Sequence, residues 1–215
     1  MSRGSLWVAR HPPVHAPNLC YGRTDVATRV AHDEAAALLA DAFPSAAATN
    51  DAAAANDASG WPEIVWTSPV SRCRCVAEHF SARIGAELRV DGALHEMSMG
   101  AWDGLTWAEI EGRDGEAYAR WLAEWENVAP PGGEGPRDLE RRAVAWLAAL
   151  DPERRHALVA HAGFVRALHV VLADRTWPEA MEIRVEHLVW SRMHWPAALD
   201  SGSVCGSACA PLLTS

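Results

Sequence analysis

Two histidines and two arginines stand where side chains of this sequence can converge. Arg10-His11 directly follows the apolar run Leu6-Trp7-Val8-Ala9, and His161 directly follows Ala157-Leu158-Val159-Ala160. Arg72 falls in the first helical turn expected after Thr67-Ser68-Pro69. Together they offer two imidazoles and two guanidiniums to one pocket. Guanidinium forks match phosphate oxygens in pairs, and a helix N-terminus adds a favourable dipole. Each residue alone is weak evidence, since a histidine behind a strand is more often structural and an arginine in a first turn more often solvated. Their joint placement points to a site for a phosphate ester.

The elements that must position them alternate between strand and helix. Strands are expected at Leu6–Ala9, Glu63–Thr67, Leu88–Leu94 (an edge), Ala157–Ala160 and Val185–Trp190. Helices are expected at Ala31–Phe43, Val70–Ile84, Asp138–Leu150 and Gly163–Leu172, with a longer one at Trp107–Glu126 that breaks near Gly112 and Gly115. Pro12 and Pro13 stop the first strand, and Pro44 ends the first helix. Such alternation predicts an α/β fold, a three-layer α/β/α sandwich with a mostly parallel central sheet, as a single domain over residues 1–215. Ligands of these sheets gather at the carboxyl ends of strands. Three strands end at Arg10-His11, Thr67-Ser68 and His161. Segment 45–60 is almost all Ala, Asn, Asp and Ser, with little to bury, and reads as a mobile surface loop. The tail 197–215 is of low information.

Six segments, in order, resemble motifs of the histidine phosphatase (phosphoglycerate mutase-like) superfamily. They are Leu6-Trp7-Val8-Ala9-Arg10-His11, Cys20-Tyr21-Gly22-Arg23-Thr24-Asp25 and Thr67-Ser68-Pro69-Val70-Ser71-Arg72, followed by the stretch from Leu94 to Gly104 with Glu96, Gly100 and Trp102. Pro131-Gly132-Gly133-Glu134 and Val159-Ala160-His161-Ala162-Gly163-Phe164-Val165-Arg166 complete the set. Any one match could be chance; six in order over residues 6–166 are specific.

The resemblance implies the phosphoglycerate mutase-like fold and assigns roles. His11 would attack phosphorus as a neutral imidazole, giving a phosphohistidine that water hydrolyses, with a backbone carbonyl keeping its other nitrogen protonated. Arg10, Arg72 and His161 would hold the phosphoryl oxygens. Glu96 would protonate the leaving oxygen and then take a proton from the attacking water. No metal or other cofactor is implied, because the arginines supply the positive charge. Asn18 is a candidate phosphate contact, and the Ala162 amide another, although Ala162 replaces a common glycine. Arg23 is a candidate substrate contact or a surface ion pair, and Glu134 is expected to shape the pocket. Pro12 stands where the family usually has glycine and removes one backbone donor.

Composition narrows the partners. The chain has 215 residues, 49% apolar and 22% charged, so it can bury one substantial core. A formal net charge of -9 disfavours general binding of nucleic acid or anionic membranes. No run of about 18 apolar residues appears, and the N-terminus lacks a signal-type apolar stretch, so a cytoplasmic protein is expected. Five cysteines in such a chain read as reduced thiols. Cys73-Arg74-Cys75 is too closely spaced for a zinc site, the Cys205/Cys209 pair lies in a small-residue tail, and there is no H-E-x-x-H segment of a zinc hydrolase. The eleven tryptophans are divided between core and pocket.

The expected partner is therefore a small phosphorylated metabolite. The segment Gly100-Ala101-Trp102-Asp103-Gly104 resembles phosphatases more than mutases, and the expected lid around Trp121 and Trp125 is acidic and aromatic, without the basic pair a bisphosphate would need. Length and motif style are similar to α-ribazole phosphatases of cobalamin biosynthesis. A phosphoglycerate mutase-type phosphotransferase and a non-catalytic phosphate-ester binding module are the alternatives; the latter would not need both His11 and Glu96.

Overall fold

A computed structural model describes residues 3–44 and 60–196. The segment expected to be a mobile loop, save Gly60, and the tail from residue 197 lie outside the described residues. The chain forms β1 (Arg3–Arg10), α1 (His32–Asp41), β2 (Ile64–Thr67), α2 (Ser71–Ile84), β3 (Glu87–Val90), α3 (Trp107–Glu124), α4 (Pro136–Ala148), β4 (His156–Ala160), α5 (Ala162–Ala173), α6 (Trp177–Glu182) and β5 (Trp190–Pro196). The five strands make one sheet in the order β3-β2-β4-β1-β5, parallel except for β5, which runs antiparallel to β1.

Alternation along the strands explains the three layers. Leu6 and Val8 of β1, Ile64 and Trp66 of β2, and Leu158 and Ala160 of β4 face α4 and α5, where Leu139, Trp146, Leu147, Phe164 and Leu168 complete one core. The intervening Ala9, Val65, Ala157 and Val159 face α1 and α2, against Leu39, Val76, Ala77 and Phe80. With both faces covered, every residue of β2 and β4 is buried, which is why these strands read as continuous apolar runs. A third, smaller cluster of Cys20, Met99, Trp102 and Ile110 lies under the loops at the site.

The register places the chemistry. Arg10 lies opposite Ala160, and the His11 amide donates to the Ala160 carbonyl at 2.9 Å. Thr67 lies opposite Val159 on the other side of β4. The ends of β1, β4 and β2 therefore deliver Arg10-His11, His161 and Ser68 side by side.

Several boundaries differ from the sequence expectation. The edge strand stops at Val90, because Asp91 then caps a 3-10 turn at Gly92–Leu94 with its carboxylate on the Ala93 amide at 2.8 Å. The last strand is Trp190–Pro196 and not Val185–Trp190. Residues before Trp190 instead strap the end of β1, through a bridge between His187 and Arg10. Helix α6 was not anticipated, although its capping box of Thr176 and Glu179 with Pro178 in the first turn is legible. The break in α3 falls at Asp114, between the two glycines, where φ/ψ of -127°/36° interrupts the helix.

Leu158 tests the core. It is fully buried at the centre of the sheet. Leu158→Ala is expected to cost about 2–5 kcal/mol in urea unfolding; a loss under about 1 kcal/mol would show that the α4/α5 core does not close on β4 as described.

Candidate active site

The histidine expected as nucleophile, His11, sits at the end of β1. His11 is 2% exposed, and its Nδ1 lies 2.7 Å from the Pro12 carbonyl oxygen. A carbonyl only accepts, so Nδ1 carries the proton and Nε2 keeps its lone pair. Burial pushes the His11 pKa well below the usual histidine value, and the Arg72 and Arg10 guanidiniums add to this against the raising effect of the Pro12 carbonyl. The ring contacts two other imidazoles, His161 at 5.3 Å and His187 at 5.4 Å between centroids.

The positive charge is concentrated nearby. Arg72 is fully buried and donates to the main-chain oxygens of Thr24 (2.7 Å), Gly22 (2.8 Å) and Tyr21 (3.2 Å). Arg10 donates to Val185 O at 3.1 Å, and Arg166 to Ile183 O at 3.3 Å. All three line one cavity, and the buried Nε of each has no hydrogen-bond partner among the described residues. None makes an ion pair within 4.0 Å among those residues. Three guanidiniums that keep unused donors beside a cavity form an anion site.

Glu96 faces them. Its Oε2 accepts the Gly163 amide at 3.0 Å, in the first turn of α5, and its Oε1 accepts its neighbour Met97 N at 3.0 Å. A Cβ at Gly163 would stand 2.1 Å from Glu96 Oε1, so only glycine admits the carboxylate this close. The loop carrying Glu96 is held from below by Arg142, which donates to the carbonyls of His95 and Glu96. Glu134 bridges Arg142 and Arg23, each at 2.9 Å, and accepts the Ser98 amide. Burial alone would raise the Glu134 pKa, but the Ser98 amide and the two arginines outweigh it and hold the group ionised. Gly100, at φ +55°, lets this loop touch the Pro131–Gly133 turn, where a side chain would meet Pro131 O at 2.3 Å.

The remaining walls are apolar. Trp107, Trp121, Leu122 and Trp125 of the α3 region, Trp177 of α6, and Met97 and Met99 enclose a cavity of about 430 Å³. Trp107 and Trp121 stack nearly parallel at 6.2 Å, and Trp102 meets Trp121 edge-on at 5.7 Å.

The structure thus brings Arg10, His11, Arg72, Glu96 and Ala162 to one cavity. His161 lies behind it, fully buried, with Nε2 2.8 Å from Ser68 Oγ and Nδ1 3.3 Å from Arg72 Nη2. Its pKa is driven well below normal by burial and by Arg72 and His11, so it is neutral. Asn18 and Arg23 are not part of the lining. Asn18 is exposed at φ 59°, its carbonyl accepting the Trp107 amide, and Arg23 pairs with Glu134. Three contributors went unassigned from sequence: Arg166, whose spacing from Gly163 places it one turn along α5; His187; and Trp177. Burial pushes the Cys20 and Cys73 thiols up to about 12, so neither is a thiolate at neutral pH. No group of three or more potential metal ligands occurs among the described residues, and none of their helices is long and apolar enough to cross a membrane.

A buried neutral imidazole, guanidiniums with open donors and an opposed carboxylate define a phosphate-ester enzyme on an α/β sandwich. Residues 6–198 match the family model of the histidine phosphatase superfamily, branch 1, and the chain belongs to that superfamily. It is 31% identical over 161 residues to glucosyl-3-phosphoglycerate phosphatase of Mycobacterium tuberculosis, covering 66% of this chain and 70% of the relative. It is 29% identical to the adenosylcobalamin/alpha-ribazole phosphatase of Salmonella typhimurium over 58% of this chain and 67% of that one. The solved alpha-ribazole phosphatase from Shigella flexneri shares the fold at a TM-score of 0.73, with 20% identity over 95% of this chain and 100% of the other. The chain is a hydrolase, a phosphatase of this superfamily.

Two outcomes follow from the geometry. Gly163→Ala is expected to displace Glu96 and lower kcat/KM about 100-fold with the fold intact by circular dichroism; near-native turnover would show that the carboxylate need not sit on the α5 amide. The second concerns acid. His11, His161 and His156 all have folded pKa values below the unfolded value of about 6.5. Below pH 6.5 the unfolded chain takes up protons that the native one refuses, so stability falls as pH drops through that range. The urea midpoint should therefore be lower at pH 5.5 than at pH 7.5, and a flat profile would contradict the buried neutral state.

Proposed function

We propose that the protein hydrolyses the phosphomonoester of a small metabolite through a phosphohistidine on His11. The observation that carries this reading is the neutral, buried His11, its Nδ1–H fixed on Pro12 O, in a cavity shared with Arg10, Arg72 and Glu96. The Nε2 lone pair attacks phosphorus as the ester P–O bond breaks. Arg10, Arg72 and the Ala162 amide at the start of α5 take the phosphoryl oxygens. Protonated Glu96 gives its proton to the departing oxygen. As carboxylate it then takes a proton from water, whose oxygen bonds to phosphorus as the N–P bond breaks. His161, neutral and tethered between Ser68 and Arg72, holds the inner side of the site.

The walls speak for the leaving group. Four tryptophans and three methionines favour an alcohol with an aromatic or apolar face, and α-ribazole phosphate, the substrate class named for relatives above, meets that description. The free thiols of Cys20, Cys73 and Cys75 suit a reducing cytoplasmic setting, and the acidic chain suits a metabolite better than nucleic acid or a membrane.

General-acid help matters most for a poor leaving group. Glu96→Gln is expected to slow phosphorylation by α-ribazole phosphate about 100-fold. With p-nitrophenyl phosphate the first step should suffer far less, and phosphohistidine should accumulate because its hydrolysis still needs a base. Rapid quench with detection of acid-labile phosphate reads this, with His11→Ala as the inactive control and activity surviving EDTA. Equal slowing with both substrates and no trapped phosphoenzyme would assign Glu96 a binding role; an active His11→Ala protein would remove the nucleophile.

A further inference from the structure

We infer that His187 is a positioning residue for the nucleophile, acting through a hydrogen bond from its Nδ1–H to the main-chain oxygen of His11. The inference rests on the reading of His11 as nucleophile. The Nδ1···O distance is 2.6 Å, and a carbonyl oxygen cannot donate, so the His187 Nδ1 bears the proton. The ring centroids of His187 and His11 are 5.4 Å apart at 59°, and His161 meets the same ring at 5.3 Å. The nucleophilic ring therefore contacts two imidazoles, one tied to Ser68 and the other to the nucleophile's own backbone.

The strap that carries His187 fixes Arg10 as well. Arg10 Nη1 donates to Val185 O, the Leu188 amide donates to Arg10 O at 3.0 Å, and His187 pairs with Arg10 in a parallel bridge. Leu188 adopts φ 58°, a left-handed conformation uncommon for leucine, where the strap turns away before β5. A backbone held against its preference is evidence that its surroundings determine it. The segment thus continues the support of β1 on the side away from β4, where the β5 ladder ends at Ala9 opposite Trp190. His187 is not among the residues lining the cavity, so it acts on the nucleophile and not on the ligand.

Amide side chains separate the two ring nitrogens. The Asn Nδ2 overlays the His Nδ1, and the Gln Nε2 overlays the Nε2. His187→Asn should keep the bond to His11 O and keep phosphoenzyme formation from p-nitrophenyl phosphate within about 3-fold of the natural protein. His187→Gln and His187→Leu should lower that rate 10- to 100-fold, the scale of a small misplacement of a reacting group. Inhibition by inorganic phosphate, which reports Arg10 and Arg72, should move less than about 3-fold in all three. Native melting and circular dichroism certify the folded state; if the leucine variant fails to fold, the Asn/Gln pair still decides. Equal rates for Asn and Gln, or a leucine variant as fast as the natural protein, would overturn the inference. Loss of phosphate inhibition parallel to the loss of rate would also overturn it, by placing the effect on the arginines. Failure of the nucleophile assignment itself is read separately, from His11→Ala.

Discussion

The site depends on guanidinium groups held by main-chain carbonyls instead of carboxylates. An arginine paired with a carboxylate is neutralised, and has little field left for a ligand. Arg72 spends its donors on Thr24, Tyr21 and Gly22 oxygens, Arg10 on Val185 and Arg166 on Ile183. Carbonyl dipoles fix the geometry and lower the cost of burial while leaving the full charge in place. The contrast lies one layer out, where Arg142 and Arg23 share Glu134 and serve to brace loops. A chain of net charge -9 thereby presents a local positive field in one cavity.

That field sets the state of the histidines. With both rings buried and Arg72 and Arg10 close by, a charged imidazole is disfavoured at His11 and His161, so His11 keeps the free Nε2 lone pair that the proposed attack on phosphorus requires. In the proposed reaction the phosphate dianion supplies the counter-charge that these guanidiniums lack. The aromatic walls add a largely apolar lining beside these charges. Trp102, buried and bonded through Nε1 to Asp114 at the kink of α3, ties that wall to the loop that carries Glu96.

What could be read from sequence followed from locality. Arg10, His11, Arg72 and the layers of the sheet are set by strand ends and period-two alternation, which short windows reveal. Glu96 came through its motif, and the reason for Gly163, a carboxylate 2.1 Å from where a Cβ would be, appears only in three dimensions. Arg23 illustrates the reverse: its motif position left a substrate contact and a surface ion pair equally open, and only the fold brings it to Glu134, 111 residues along the chain. His187 was invisible for a related reason, since its bond spans 176 residues to a backbone oxygen, and no side-chain pattern records a carbonyl. The strand expected over Val185–Trp190 failed because those residues bond to the end of β1 in a turn geometry that apolar content does not distinguish from a strand.

Pro12 shows how a departure from a motif can serve the same chemistry. Read as a sequence, it removes an amide from the floor of a phosphate site. The structure uses the other half of its peptide group, since Pro12 O accepts the Nδ1–H of His11. Proline fixes its own φ near -65°, and the following Pro13 confines the ψ of Pro12 to extended values. The direction of that carbonyl is therefore set by covalent structure. An acceptor that cannot swing keeps the proton on Nδ1 and the lone pair on Nε2 without a further group to orient it. The first turn of α5 brings Ala162 and Gly163 to the same cavity, with the Gly163 amide given to Glu96. The nucleophile is thus oriented from three directions: by a rigid carbonyl ahead of it, by the Ala160 oxygen that takes its amide, and by the His187 strap on its own carbonyl.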